Sequence, residues 1–353
     1  MSKPYYPSAA CPRPITMIQV VAGAQAYAGG AWAAPSPAVP LGRHERRFSA
    51  MKIDLQIGRY GIRLQEAENC VCLDWPLEPF VPFLTQANDQ PDIDFTVKVV
   101  NHLPEMTHGQ LIFDASHGLW KLYEAESGFL LESPNTHTLE PYSRALISRD
   151  FSRIEVWVRQ QEALWEHRVA WEPLKIINPL VEVCLTTKLA REGGLLLHAA
   201  GVLMGHSGWV FTGPSGAGKS TLSDWFATRG ACVLSDERLI LRKVAGEILI
   251  CGTPWAGTGR QAKNRSGLLT ALYCIRHGEG AHALRRLPAR DVRLFVLRQC
   301  FLPHWDRAAM SRTLAFLDEL SERIGCFELA FAEKPDIVDY LEEQRLGRTP
   351  VPS

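Results

Sequence analysis

No stretch of this sequence supplies the roughly 18 unbroken apolar residues that a membrane-crossing helix requires, so no membrane span is expected. Neither charge is in excess: 38 Lys and Arg stand against 38 Asp and Glu. No segment gathers basic residues into the footprint that nucleic acid demands, so neither nucleic acid nor membrane is expected as a partner. No Cys-x-x-Cys pair occurs. The nine cysteines are odd in number, scattered and mostly set in apolar runs, as for reduced thiols of a cytoplasmic protein. Cys70 and Cys72, two apart, would share one face of a strand and are assigned to packing rather than to metal or redox chemistry. No internal repeat is visible.

A length of 353 residues suits two domains. Residues 1–50 are rich in Ala, Pro and Gly, hold no sustained period and end in the basic run Arg43-His44-Glu45-Arg46-Arg47. That composition predicts disorder. Gln19, Gln25 and the prolines dilute any signal-peptide core between Ile15 and Ala34. Met51 opens the strand-like run Met-Lys-Ile-Asp-Leu-Gln-Ile, so residues 1–50 are expected to be a disordered or mis-assigned extension.

Residues 51–170 show short β-type runs, such as Gly109-Gln-Leu-Ile-Phe113 and Ser152-Arg-Ile-Glu-Val-Trp-Val158, punctuated by turn residues. They read as a β-rich domain built as an antiparallel meander. The period changes over 172–191, where a mostly apolar helix begins or kinks at Pro179 and stops at Gly193-Gly194. Residues 171–345 form the second domain and 346–353 a tail. The second domain opens with a hairpin, Leu195 to Met204 and Trp209 to Thr212. A helix from Lys219 to Thr228 follows, then a strand ending at Ser235, and further strands and helices to residue 343.

Between the hairpin and that helix lies Gly213-Pro214-Ser215-Gly216-Ala217-Gly218-Lys219-Ser220, the pattern of a Walker A phosphate-binding loop. Its glycines let backbone N–H groups turn inward around a phosphate, and the following helix adds its positive end. Lys219 is expected on the β- and γ-phosphates of ATP and the Ser220 hydroxyl on Mg²⁺, with Thr221 following as a helix residue. The context of apolar strand before and helix after is the one the motif needs, which a chance Gly-rich turn does not have.

Only 17 residues after Lys219, the next strand ends in Asp236 and Glu237. One carboxylate is placed to hold the metal and the other to take the proton of an attacking hydroxyl. His198 stands on the strand ahead of the loop, where spacing alone reads it as an ordinary buried histidine.

His198-Ala, the Gly-x-x-x-x-Gly-Lys-Ser loop 15 positions on, Arg229-Gly230 and the paired acids together resemble the catalytic domain of the HPr kinase/phosphorylase family, itself related to ATP-dependent phosphoenolpyruvate carboxykinase. The likeness covers about residues 195–240. It implies an α/β fold, an HPr-kinase/PEP-carboxykinase-like P-loop domain preceded by the β-rich domain. It implies ATP and Mg²⁺ as cofactors, His198 beside the catalytic acid, Asp236 as base for a seryl hydroxyl and Glu237 as the metal-associated acid, where the family has Asp. The family's Arg-Gly-rich phosphorylase signature is absent, which removes the expectation of phosphorolysis.

Leu195-Leu-Leu-His-Ala-Ala-Gly201, Leu234-Ser-Asp-Glu237 and Gly252-Thr-Pro-Trp255 look like the subgroup of these kinases that modifies ribosomal peptides of the lasso type. The implied partner is a peptide or small protein bearing a serine, with a homo-oligomer also open. Trp255, in a Gly-flanked loop, is open between lining the acceptor site and a structural turn; Arg260 and Arg265 are candidates to neutralise the transferred phosphate, although the sequence alone reads them as solvated bases. Three alternatives stand beside this reading: HPr(Ser) kinase proper, a carboxykinase-like enzyme, and a non-catalytic ATP-responsive binding module. For the amino terminus, mass spectrometry of endogenous protein is expected to find a chain beginning at Met51; a peptide spanning Arg47 to Lys52 refutes this.

Overall fold

The computed structural model describes residues 52–346 apart from 68–77, 87–88, 116–118, 135–139, 160–176 and 279. The expectations for residues 1–51, for Cys70 and Cys72, for a boundary near residue 170 and for the tail beyond 346 fall outside the described residues.

The chain is mixed α/β with two large sheets. The first holds β1 (Lys52–Ile57), β2 (Tyr60–Glu66), β3 (Ile93–Val100), β4 (Leu111–Asp114), β5 (Lys121–Ala125), β6 (Gly128–Pro134), β7 (Pro141–Ser148) and β8 (Arg153–Arg159), in the order β1-β2-β3-β8-β7-β6-β5-β4. Alternation builds it: in β3, Ile93, Phe95 and Val97 are buried while Asp94 and Thr96 between them are half-exposed. The expected antiparallel meander holds for β4 through β8. It fails for β3, which runs parallel to both β2 and β8. Parallel neighbours need long crossovers, and such pairing is decided by burial between segments far apart in sequence.

The second sheet holds β9 (Gly194–Met204), β10 (Ser207–Thr212), β11 (Cys232–Ser235), β12 (Arg238–Val244), β13 (Glu247–Cys251), β14 (Ser266–His277), β15 (Ala283–Arg286), β16 (Cys300–Phe301) and β17 (Gly325–Phe331). Its hub is β9, which pairs with β10, β11, β12 and β16. Because β10 also pairs with β14 in parallel, strands β10, β9, β12, β13 and β14 close into a ring without a free edge.

The helices are α1 (Glu182–Arg191), α2 (Lys219–Thr228), α3 (Ala289–Leu297), α4 (Arg307–Arg323) and α5 (Ile337–Leu346). They cover both faces of the sheet. Val210 of β10 faces the core that also holds Val292, Val296 and Phe316 of α3 and α4, whereas its neighbours Trp209 and Phe211 face the core shared with Leu222 of α2 and Ile337 of α5. Among the described residues no helix is long and apolar enough to cross a membrane.

A π-helical turn, Ile177–Val181, contains Pro179 and leads into α1. Proline has no N–H to give and is tolerated in the first turn of a helix; residues 172–176 of the expected helix lie outside the described residues. α1 is buried on nearly every side and shares one apolar core with β1, β2, β3 and β8 of the first sheet and with Leu196, Ile240 and Trp255 of the second.

One charged pair pins α1 to the strand that follows the paired acids. Arg238 and Glu182, with side chains 5% and 9% exposed, meet at 2.6 Å. The guanidinium lies 4.8 Å from the ring of Phe301 and 5.8 Å from that of Trp255. Two buried opposite charges are worth little against an apolar replacement of both, but removing one strands the other. Glu182→Met is therefore expected to cost about 3–5 kcal/mol in denaturant unfolding. The control Asp339→Asn, which breaks the exposed pair with Arg229, leaves the midpoint in place.

Candidate functional site

β10 and β14 run parallel, and the chain leaves β10 at Thr212, which pairs with Cys274 three residues before the end of β14. Parallel strands of α/β folds place ligand sites beyond such carboxyl ends. The loop 213–218 turns there. Gly218 adopts φ +92°, and a Cβ on it would lie 2.5 Å from the ring of Phe331, so a side chain fails on both counts. It caps α2 without a side-chain hydrogen bond, so the first N–H groups of that helix have no side-chain cap and face the loop's mouth. Pro214, Ser215 and Gly216 are exposed and Ala217 is buried beneath them.

Lys219 is only 6% exposed. Its Nζ donates to the carbonyls of Gly213 at 3.0 Å and Pro214 at 3.1 Å, curling back over the loop. Burial pulls its amino group down to about 8, against the opposing pull of the Glu237 and Asp236 carboxylates. An uncapped helix start and a buried ammonium held only by carbonyls fit a phosphate chain, which would supply the anionic partner both lack.

The acids arrive through a break in a single line of strand. After a register shift between Val233 and Ser235, Ser235 pairs with Gly201 and Arg238 with His198, so the register against β9 is kept across the break, and Asp236 and Glu237 stand opposite Ala200 and Ala199. The Ser235 hydroxyl accepts the N–H groups of Glu237 and Arg238, both at 3.2 Å, and donates to the carbonyl of Trp255 at 3.1 Å. A serine that captures local N–H groups competes with the ladder, and here it bends the strand at Asp236 and Glu237, while Glu237 O still accepts from Ala199 N at 3.0 Å.

Asp236 is 1% exposed and fully engaged. Its Oδ1 accepts from Gly257 N at 2.8 Å and Gln261 N at 3.3 Å; its Oδ2 accepts from Gly259 N at 2.7 Å and Ser220 Oγ at 3.4 Å. A carboxylate has about four acceptor positions, and all are taken. A Cβ at Gly257 or Gly259 would sit 2.8 Å from Oδ2, so only glycine lets the loop come this close. Glu237 is the more open acid, its side chain 24% exposed, with Oε2 3.6 Å from His198 Nε2. Burial pushes its carboxyl up, but the neighbouring His198, with Arg238 and Lys219, outweighs burial and holds it below the usual range.

Lys219, Ser220, Asp236 and Glu237, expected together from their spacing, and His198, expected there only from the resemblance, surround one mouth. Trp255 does not join them. Its ring is 7% exposed in the core beside Arg238, so it does not line an acceptor site; the buried cation draws the indole inward. Arg260 and Arg265 are exposed, and among the described residues neither side chain has a partner. The clasp by residues 257–261 was not expected. Its one trace in the sequence is Gly257-Thr-Gly259, two glycines where the backbone must touch a buried carboxylate. Next to them Arg260 holds φ +52°, a left-handed conformation that costs a non-glycine residue about 1–2 kcal/mol.

No protein-family model matches the chain, and no curated protein matches it. Among solved structures, that of the Hpr(Ser) kinase/phosphatase from Coxiella burnetii is similar at 13% identity and a TM-score of 0.27, covering 43% of this chain and 91% of that chain.

The buried lysine has a measurable signature. The unfolded chain keeps the Lys219 proton up to pH 10.5, whereas the fold releases it near pH 8. Below pH 8 the full cost of burying the charge opposes folding, and between pH 8 and 10.5 the unfolded state holds more protons, so stability rises. Urea unfolding over this window is expected to show wild type gaining on Lys219→Met; parallel curves refute the shift.

Proposed function

We propose that the chain is an ATP- and Mg²⁺-dependent phosphotransferase that moves the γ-phosphoryl group of ATP to a hydroxyl, the acceptor being a serine on a peptide or small protein. One observation carries the reading: a buried lysine and an uncapped helix start lie at the same mouth as two carboxylates and a histidine. A loop that only binds a nucleotide needs the first pair; moving a phosphoryl group to an alcohol also calls for acids that hold a metal and take a proton.

In this reading the N–H groups of Ser215, Gly216, Gly218 and Lys219 cradle the phosphates, and the Lys219 ammonium leaves its two carbonyls to neutralise developing charge on the transferred group. Ser220 and Glu237 are the residues that would hold Mg²⁺, and Asp236 would join them only through the Oδ2 position that the Ser220 hydroxyl now takes; the ion when bound supplies charge neutralisation across the phosphate oxygens. The acceptor hydroxyl gives up its proton to the acid pair, Glu237 being the member with open space beside it. His198 backs that acid. The serine acceptor rests on the resemblance of residues 195–201, 234–237 and 252–255 to peptide-modifying kinases, as does the wider HPr-kinase/carboxykinase-like assignment of the domain.

A second reading, a nucleotide-responsive binding module, draws on one observation: both oxygens of Asp236 are occupied by the chain's own donors. Turnover separates the two. With labelled γ-phosphate on ATP·Mg²⁺ and a panel of HPr, free serine and serine-bearing peptides, label is expected on one acceptor class. Lys219→Ala should lose binding and transfer. Asp236→Asn should lose transfer by about 100-fold or more while still binding ATP. Nucleotide binding with no transfer to any acceptor would favour the binding module.

A further inference from the structure

The mouth of the site is short of positive charge. Asp236, Glu237 and Asp224 converge there, and Gly259 approaches all but one of them, its Cβ position lying 2.8 Å from Asp236 Oδ2 and 3.6 Å from Asp224 Oδ1. Against these stand Lys219 and the uncharged dipoles of the loop. Arg238, next in sequence to Glu237, is committed to Glu182 and faces away into the core. A nucleotide triphosphate adds several negative charges, and the metal that accompanies it balances only part of them.

Three cations lie on the neighbouring loop: Arg260, Lys263 and Arg265. Two of them are led away. Lys263 N bonds to Leu234 O and Ala262 bridges to Ser235, so the chain there runs back along β11. Arg265 lies further along, its carbonyl accepting from Gly252 N. Arg260 differs. The residues on either side of it, Gly259 and Gln261, each give their N–H to Asp236, and its own N–H bonds to Gly257 O at 3.1 Å. The oxygen that Gly259 holds is the one that Ser220 Oγ touches. The backbone of Arg260 is therefore locked within one carboxylate of the phosphate loop, in a conformation that glycine would adopt without strain. Its side chain is exposed and has no partner among the described residues.

We propose that Arg260 is the catalytic guanidinium that meets the transferable phosphoryl group, carried by a loop that Asp236 holds in register. The inference rests on the phosphotransferase reading above and deepens it: Asp236 becomes a positioning residue, and its capture by three N–H groups is the means by which the arginine is aimed. In the transfer itself, the acceptor oxygen forms a bond to the γ-phosphorus as the bridging oxygen's bond to it breaks and its electrons pass to ADP. The acceptor's proton goes to Glu237, the acid with open space beside it. Arg260 stays protonated throughout and forms two parallel hydrogen bonds to the oxygens of the moving group.

The test uses binding, with the full chain, of ADP·Mg²⁺ and of the non-hydrolysable β,γ-imido analogue of ATP, measured by calorimetry on wild type, Arg260→Gly and Arg260→Lys. Arg260→Gly removes the guanidinium and accepts φ +52° without strain, so its melting temperature is expected to equal or exceed that of wild type. Wild type is expected to prefer the analogue over ADP by about tenfold or more. Arg260→Gly should bring that preference to within about twofold with ADP affinity intact, and Arg260→Lys should keep part of it. A full preference surviving in Arg260→Gly, or an equal loss of both ligands in that variant, would overturn the role of Arg260 alone. So would a wild type that binds both ligands equally. A wild type that binds neither overturns the phosphotransferase reading and this inference with it.

Discussion

A buried carboxylate cannot be left alone. Taking Asp236 almost wholly out of water costs several kcal/mol unless donors replace the water it loses, and the surrounding architecture answers that requirement. The break between β11 and β12 delivers the acid, the Ser235 hydroxyl satisfies the N–H groups the break releases, and residues 257–261 close over both oxygens. Ser220 completes the set from the other side. Phosphate loop, acid strand and clasping loop are thereby tied at one point, and each fixes where the others stand.

Around this point the charges are arranged in two classes. Arg238 and Glu182 neutralise each other in the core and serve to join α1 to the acid-bearing strand. Lys219, Glu237 and His198 are held close without being consumed: the lysine bonds only to carbonyls, and the glutamate meets the histidine at a distance longer than a hydrogen bond. Groups of the second class have interactions left to make, which is the physical difference between a brace and a site.

Legibility in the sequence followed locality. The hairpin of β9 and β10, the loop and α2 were readable because their signals are contiguous: an apolar run, a turn, a glycine pattern, an amphipathic stretch. Lys219, Ser220, Asp236 and Glu237 were readable for a related reason, since each lies at a strand end or helix start and neighbouring strands bring such ends together; His198, in the middle of β9, was not readable from spacing. What escaped was long-range. β14, twelve residues long, gave no expectation although it closes the ring of five strands. The parallel pairing of β3 with β2 and β8 broke the expected meander. Trp255 could not be placed from the sequence because its burial depends on Arg238, whose own burial depends on Glu182, fifty-six positions earlier.

By itself the sequence determined the elements that a short window controls: a Gly-rich loop between a strand and a helix, a lysine and serine at the start of that helix, and two acids at the next strand's end. These depend on φ freedom, helix geometry and alternation, which act over a few residues. Only the tertiary structure decided which groups are satisfied and which stay open. That distinction depends on donors brought from far along the chain: Gly257, Gly259 and Gln261 reach Asp236 across more than twenty positions. A buried charge is stable only where such donors converge, and convergence is a property of the packed sheet rather than of any segment in it.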